Sequence, residues 1–173
     1  TARWKLLGQQ VMVGQLKFKG NPLSGDITKA TASQYLNPDQ WDGYPIARQR
    51  LYNLLRRGGL TTMTGGAPIN NTVILTGDIH TSWAMDITED PNNPTGYMAV
   101  NNSMAVEFVA PSVTSPGLEA LNREPVLSAL QTQNPHIKYL ELATHGYVIL
   151  DIDADRTQAE WHYTTDILSR GGS

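Results

Sequence analysis

The 173-residue chain is 40% hydrophobic, enough for one domain with a real core, and carries a net charge of −3 at a sequence pI near 5.7. It has no basic run interleaved with aromatics, which excludes nucleic-acid binding along a phosphate-tracking surface. It has no cysteine, which excludes disulfides and thiolate metal sites, and no apolar stretch that reaches the span of a bilayer. Any metal would be held by oxygen and nitrogen. The start, Thr1-Ala2-Arg3-Trp4, is neither an initiator methionine nor a signal peptide, so the chain is expected to begin inside a longer protein.

Residues 4–13 predict a strand, with Leu6, Leu7, Val11, Met12 and Val13 around Gly8-Gln9-Gln10. Two adjacent glutamines suit an exposed edge strand, or amides aimed at a site. Residues 17–38, rich in Gly, Asn, Ser and Thr without a sustained period, predict a long surface loop. A helix follows. Pro45 suits its first turn, Asp42 is a candidate N-cap, Arg56 and Arg57 suit the last turn, and Gly58 is a stop. Ala47, Leu51, Leu54 and Leu55 would form its apolar face. Trp41, Asp42, Tyr44 and Arg48 are candidate pocket residues; capping by Asp42 and packing by the two aromatics explain the first three equally well.

After a polar connection over residues 58–71, Thr72-Val73-Ile74-Leu75 is short, β-branched and continuously apolar, as suits a strand buried on both faces of an α/β sheet. Gly77 permits a turn at its end, and Asp78 and His80 follow, two apart. Ligands gather at the carboxyl edge of such sheets, where a strand tip presents side chains on a rigid base. A carboxylate and a neutral imidazole can share a metal centre. The same triplet also describes a turn aspartate beside a histidine satisfied by a carbonyl.

Residues 83–87 complete a strand or loop, and Asp90 to Gly96 form a turn cluster. Residues 97–100 and 104–109 read as strand pieces, with Glu107 on the solvent side of the alternation or supporting a site. Residues 110–117 are a loop, and 118–131 are short helical turns interrupted at Pro125. The chain closes with a hairpin: a strand over 146–152, a polar turn, and an alternating strand over 159–163. That alternation puts His162 with Glu160 toward solvent, opposite Ala159, Trp161 and Tyr163. His136 reads as a surface residue, and His145, at a strand entrance, as a candidate site residue.

Trp4-Lys5-Leu6-Leu7-Gly8-Gln9-Gln10-Val11-Met12, then Asp39-Gln40-Trp41-Asp42-Gly43-Tyr44-Pro45 with Arg48, then Leu75-Thr76-Gly77-Asp78-Ile79-His80, then Val106-Glu107-Phe108-Val109-Ala110-Pro111-Ser112 with Thr114-Ser115-Pro116, then His145-Gly146-Tyr147 form an ordered set spanning nearly the whole chain. That set resembles the PhoD-like alkaline phosphatases of the metallophosphoesterase superfamily, and the match is to the carboxyl-terminal half. The resemblance implies an α/β (α+β) fold: half of a four-layer α/β/β/α sandwich, with a mixed sheet, flanking helices and a C-terminal β-hairpin, as one domain over 1–173. It implies a phosphomonoesterase or phosphodiesterase using iron and calcium, other divalent metals being possible. A Gly-Asp-x-His element stands where the superfamily has Gly-His-x-His, so by position Asp78 would ligate the calcium side and His80 the iron side, both serving catalysis.

The family's amino-terminal ligands have no counterpart here, so the isolated chain is expected to bind metal weakly and to hydrolyse phosphate esters poorly. A broad apolar sheet face is expected to be covered by the missing half or by self-association. The resemblance also implies that the parent protein is exported to the periplasm or medium. A non-catalytic scaffold that kept the fold, and a metalloenzyme completed by another chain, are the alternatives.

Overall fold

The computed structural model describes residues 2–20, 33–57, 66–100 and 102–168. Five strands form the main sheet: β1 (Lys5–Gly8), β4 (Thr72–Thr76), β5 (Ser82–Ile87), β6 (Ala105–Val109) and β7 (Ile137–Glu141), in the order β1-β4-β6-β5-β7. β1, β4 and β6 are parallel, while β5 runs antiparallel to both β6 and β7. Two short strands, β2 (Lys17–Lys19) and β3 (Ser33–Tyr35), pair with each other, and β8 (Gly146–Ile152) pairs with β9 (Thr157–Tyr163) as a hairpin. The helices are α1 (Pro45–Arg57), α2 (Tyr97–Val100) and α3 (Glu124–Gln133). The mixed sheet, its helices and the C-terminal hairpin are as expected.

The core lies on one sheet face. Register sets Ile74 beside Glu107 and Glu107 beside Met85, and Ile74, Met85, Ile87 and Val109 pack against Met12, Val13, Leu16, Tyr52, Leu55, Val126 and Leu130. Each such apolar side chain contributes about 1.5–3 kcal/mol on burial. On the other face the hairpin lays Trp161 against Phe108 edge-on, at 5.8 Å between ring centroids, and against Tyr139 at 5.0 Å. The Trp161 indole N–H donates to the Val109 carbonyl at 3.0 Å. His162 faces outward, stacked on Tyr147, as the alternation predicts.

Several expectations are corrected. Only residues 5–8 of the first segment are strand, and this is an edge strand with Leu6 50% exposed; Gln9 and Gln10 lie past its end, Gln10 exposed. The expected loop over 17–38 begins and ends in paired strands anchored by buried Phe18, too short to show a period; residues 21–32 and the expected stop at Gly58 lie outside the described residues. In α1 the buried face is Arg48, Tyr52 and Leu55, with Leu51 partly covered, while Ala47 is exposed. An arginine takes the buried position because a carboxylate meets it there.

Residues 97–100 form a helix, because the Asn93 side chain accepts the N–H groups of Thr95 and Gly96 and organises a turn ahead of it. Pro125 begins α3 instead of interrupting it, its missing N–H falling in the first turn. β7 was not anticipated; it is an edge strand whose residues after Ile137 are half-covered or exposed, so its pattern is weak. His136 is buried, donating from Nε2 to the Gln15 carbonyl at 2.8 Å, and burial pushes its pKa down to about 4. Glu107 is fully buried, not on the solvent side.

Candidate functional site

The carboxyl ends of the parallel strands gather at one edge: the Gln9 N–H donates to the Leu75 carbonyl, and the Ala110 N–H to the Thr76 carbonyl. From the tip of β4 the chain turns sharply. The Ile79 N–H donates to the Gly77 carbonyl at 2.9 Å around Asp78 at φ 69°, the pattern of the rarer, strained γ-turn, and His80 follows at φ 60°. Gly77 itself does not take a positive φ; the non-glycine residues do. Such conformations cost on the order of 1–3 kcal/mol each and persist where the surroundings enforce them. Buried Thr81, which accepts the Trp83 indole N–H at 2.6 Å, anchors the far side of the turn.

Both side chains are displayed at the surface. The His80 Nδ1 lies 2.9 Å from the Pro116 carbonyl oxygen. A carbonyl only accepts, so Nδ1 carries a proton and Nε2 is the ring nitrogen left for a ligand. His145 meets the same loop, its Nε2 donating to the Ser115 carbonyl at 2.9 Å. It borders a surface cleft of about 330 Å³ with Thr144, Thr164 and Ile167. Asp78 Oδ2 accepts from the Gln40 side-chain amide at 2.9 Å.

The other candidates lie elsewhere. Asp42 does not cap α1, whose first N–H bond runs from Arg48 to the Tyr44 carbonyl; its carboxylate makes a buried ion pair with the Arg48 guanidinium and accepts the Leu16 N–H at 2.9 Å. Burial pushes the Asp42 carboxyl above its usual range, against the opposing pull of Arg48 and of the Leu16 N–H. Arg48 also donates to the Tyr35 hydroxyl. Trp41 is partly buried against the core, and Tyr44 is 58% exposed. Removing Asp42 would leave the guanidinium buried and unpaired, so Asp42→Ala is expected to lower unfolding free energy by about 3–5 kcal/mol in urea titrations.

Sequence reasoning missed Gln40 and the Ser115 and Pro116 carbonyls, and left Glu107 between the solvent side and a supporting role. Gln40, Glu107 and Pro116 act on the segment 12–16 or on the turn, and Ser115 acts on His145. The Met12 N–H donates to Gln40 Oε1 at 2.5 Å; those of Val13 and Gly14 donate to Glu107 Oε1 and Oε2 at 2.8 and 2.7 Å; that of Leu16 donates to Asp42. Glu107 also accepts from the Thr76 hydroxyl at 2.9 Å. A Cβ on Gly14 would lie 2.1 Å from Met85 Sδ and 3.0 Å from Glu107 Oε2, so the packing there would have to shift. The segments around Gln40, Asp42 and Glu107 thus converge on one backbone stretch.

The chemistry of Asp78 and His80 suits an ion that accepts oxygen and nitrogen donors. Among the described residues no group of three or more His, Cys, Asp or Glu side chains could hold a metal, so these two are at most part of a centre. Nor is any helix among them long and apolar enough to cross a membrane.

This mixed α/β scaffold is a phosphatase fold: it superposes on the solved structure of PhoD with a TM-score of 0.73 and 27% identity, over 99% of this chain and 28% of that one. The chain belongs to the PhoD-like phosphatase family, whose model matches residues 1–161. It is 29% identical over all 173 residues to alkaline phosphatase D of Bacillus subtilis (strain 168), covering 25% of that protein. The chain therefore spans about a quarter of the length of these relatives.

Proposed function

We propose that this chain supplies part of the metal centre of a phosphoric ester hydrolase, with Asp78 and His80 as ligands and the remaining ligands on residues beyond it. The reading is supported most by the strained turn that displays both donors at the carboxyl edge of the parallel strands, with His80 Nδ1 held by Pro116. Asp78, a hard oxygen donor, suits calcium, and the imidazole of His80 suits iron. When bound, such ions polarise phosphoryl oxygens and offset the charge that develops on them. The turn keeps both donors in fixed directions, and the Pro116 carbonyl holds the Nδ1 proton, which leaves Nε2 as the ligating nitrogen. His145, bonded to the neighbouring carbonyl of the same loop, is the residue we assign to the ester substrate.

Chelation followed by add-back tests this. The intact protein, assayed on p-nitrophenyl phosphate, is expected to lose hydrolysis on treatment with a chelator and to recover it with iron and calcium. The isolated 173-residue chain is expected to show little hydrolysis under either condition. Hydrolysis that survives chelation would refute the metal, and robust hydrolysis by the isolated chain would refute the shared centre. The scaffold alternative predicts no hydrolysis from the intact protein at all.

A further inference from the structure

We propose that Gln40 is the positioning residue for Asp78: one amide, 1% exposed, ties the carboxylate at the strand tip to the backbone of the 12–16 segment. This rests on the reading of Asp78 as a metal ligand. The amide is used at both ends. Its oxygen accepts the Met12 N–H at 2.5 Å and its nitrogen donates to Asp78 Oδ2 at 2.9 Å. Because the oxygen is already committed to an N–H donor, the amide is locked in the orientation that points its NH₂ at Asp78.

Backbone on either side keeps Gln40 in place. Its own N–H donates to the Asn37 carbonyl, and the next N–H, from Trp41, donates to the Met12 carbonyl at 3.2 Å, so Met12 is held by Gln40 and by the residue that follows it. Met12 is in turn followed by the two N–H groups that Glu107 holds. Asp78 therefore takes its orientation from the core, although the side chain itself is exposed. With Oδ2 engaged, Oδ1 makes no hydrogen bond among the described residues. A partner that orients a ligating carboxylate typically matters by about 10–100-fold in metal affinity.

The test is a double-mutant cycle on the metal-stripped intact protein, titrated calorimetrically with Ca²⁺ alone: wild type, Gln40→Met, Asp78→Ala and the double variant, each checked for folding by circular dichroism. Gln40→Met is expected to weaken Ca²⁺ binding about 10-fold or more in the presence of Asp78. In the Asp78→Ala background it should add nothing. Equal weakening in both backgrounds would assign Gln40 a structural role only and overturn the inference. Unchanged affinity in Gln40→Met, with Asp78→Ala impaired, overturns it while leaving the ligand assignment standing. Unchanged affinity in Asp78→Ala overturns both. If Gln40→Met does not fold, Gln40→Asn, one methylene shorter and unable to span both partners, takes its place in the same cycle.

Discussion

In the intact protein, His80→Ala and Asp78→Ala are each expected to lower kcat/KM for phosphate ester hydrolysis by roughly 10²–10³-fold, the scale at which a single electrostatic stabiliser acts. Each should also reduce bound metal in elemental analysis. His80 can ligate through one nitrogen: Nδ1 is occupied by the Pro116 carbonyl, which leaves Nε2. His145→Ala provides the contrast. Its bond is to the neighbouring Ser115 carbonyl, and it is expected to raise KM with metal content intact. Unchanged metal content in both Asp78→Ala and His80→Ala would remove the ligand assignment.

The second large effect concerns Glu107. Glu107→Ala strips the acceptors from two buried backbone N–H groups and the Thr76 hydroxyl. At about 1–3 kcal/mol for each donor left unsatisfied, the expected loss is on the order of 5 kcal/mol, at the exceptional end for one substitution. Burial pushes the Glu107 carboxyl up to about 7, against the opposing pull of the Val13 and Gly14 N–H groups and of Thr76. Between its ordinary 4.5 and about 7 the folded chain keeps a proton that the unfolded chain releases. Its contribution to stability is therefore full below 4.5, falls as pH rises through this window, and is level above it.

His136 works in the opposite sense. Held neutral by burial down to about pH 4, against an ordinary 6.5, it adds stability as pH rises from 4 to 6.5. The two trends oppose each other in the wild type. Glu107→Gln, less stable at every pH because an NH₂ replaces an acceptor, removes the first trend and leaves the second. Urea titrations from pH 4 to 8 should show the difference between wild type and variant shrinking as pH rises from 4.5 to 7. A constant difference would mean that Glu107 titrates alike in both states.

What the sequence made legible was local. The apolar run at Thr72–Thr76, the turn residues after it and the alternation of β9 each carry their signal within a few positions. Glu107 illustrates what was hidden: alternation places it on one face of β6 or the other, and the choice is made by N–H groups at Val13 and Gly14, 94 and 93 residues away. His136 and Arg48 were concealed in the same way, since a polar side chain is buried only where a distant partner receives it. The Gln40 to Asp78 contact spans 38 residues and has no periodicity to betray it. Asp78 and His80 could be nominated from their place after a strand and a glycine; the carbonyls that orient the two histidines could not.

The segment from Met12 to Leu16 has a consequence for the order of folding. Four of its N–H groups find acceptors on side chains at sequence separations of 28, 94, 93 and 26, and each such contact requires a long loop to close before it forms. The segment is thus expected to acquire hydrogen-exchange protection after the β8–β9 hairpin and α1, whose bonds are local. Since Gln40 joins Asp78 to this late-forming stretch, the strand-tip turn reaches its final geometry only as the last long-range contacts of the domain close.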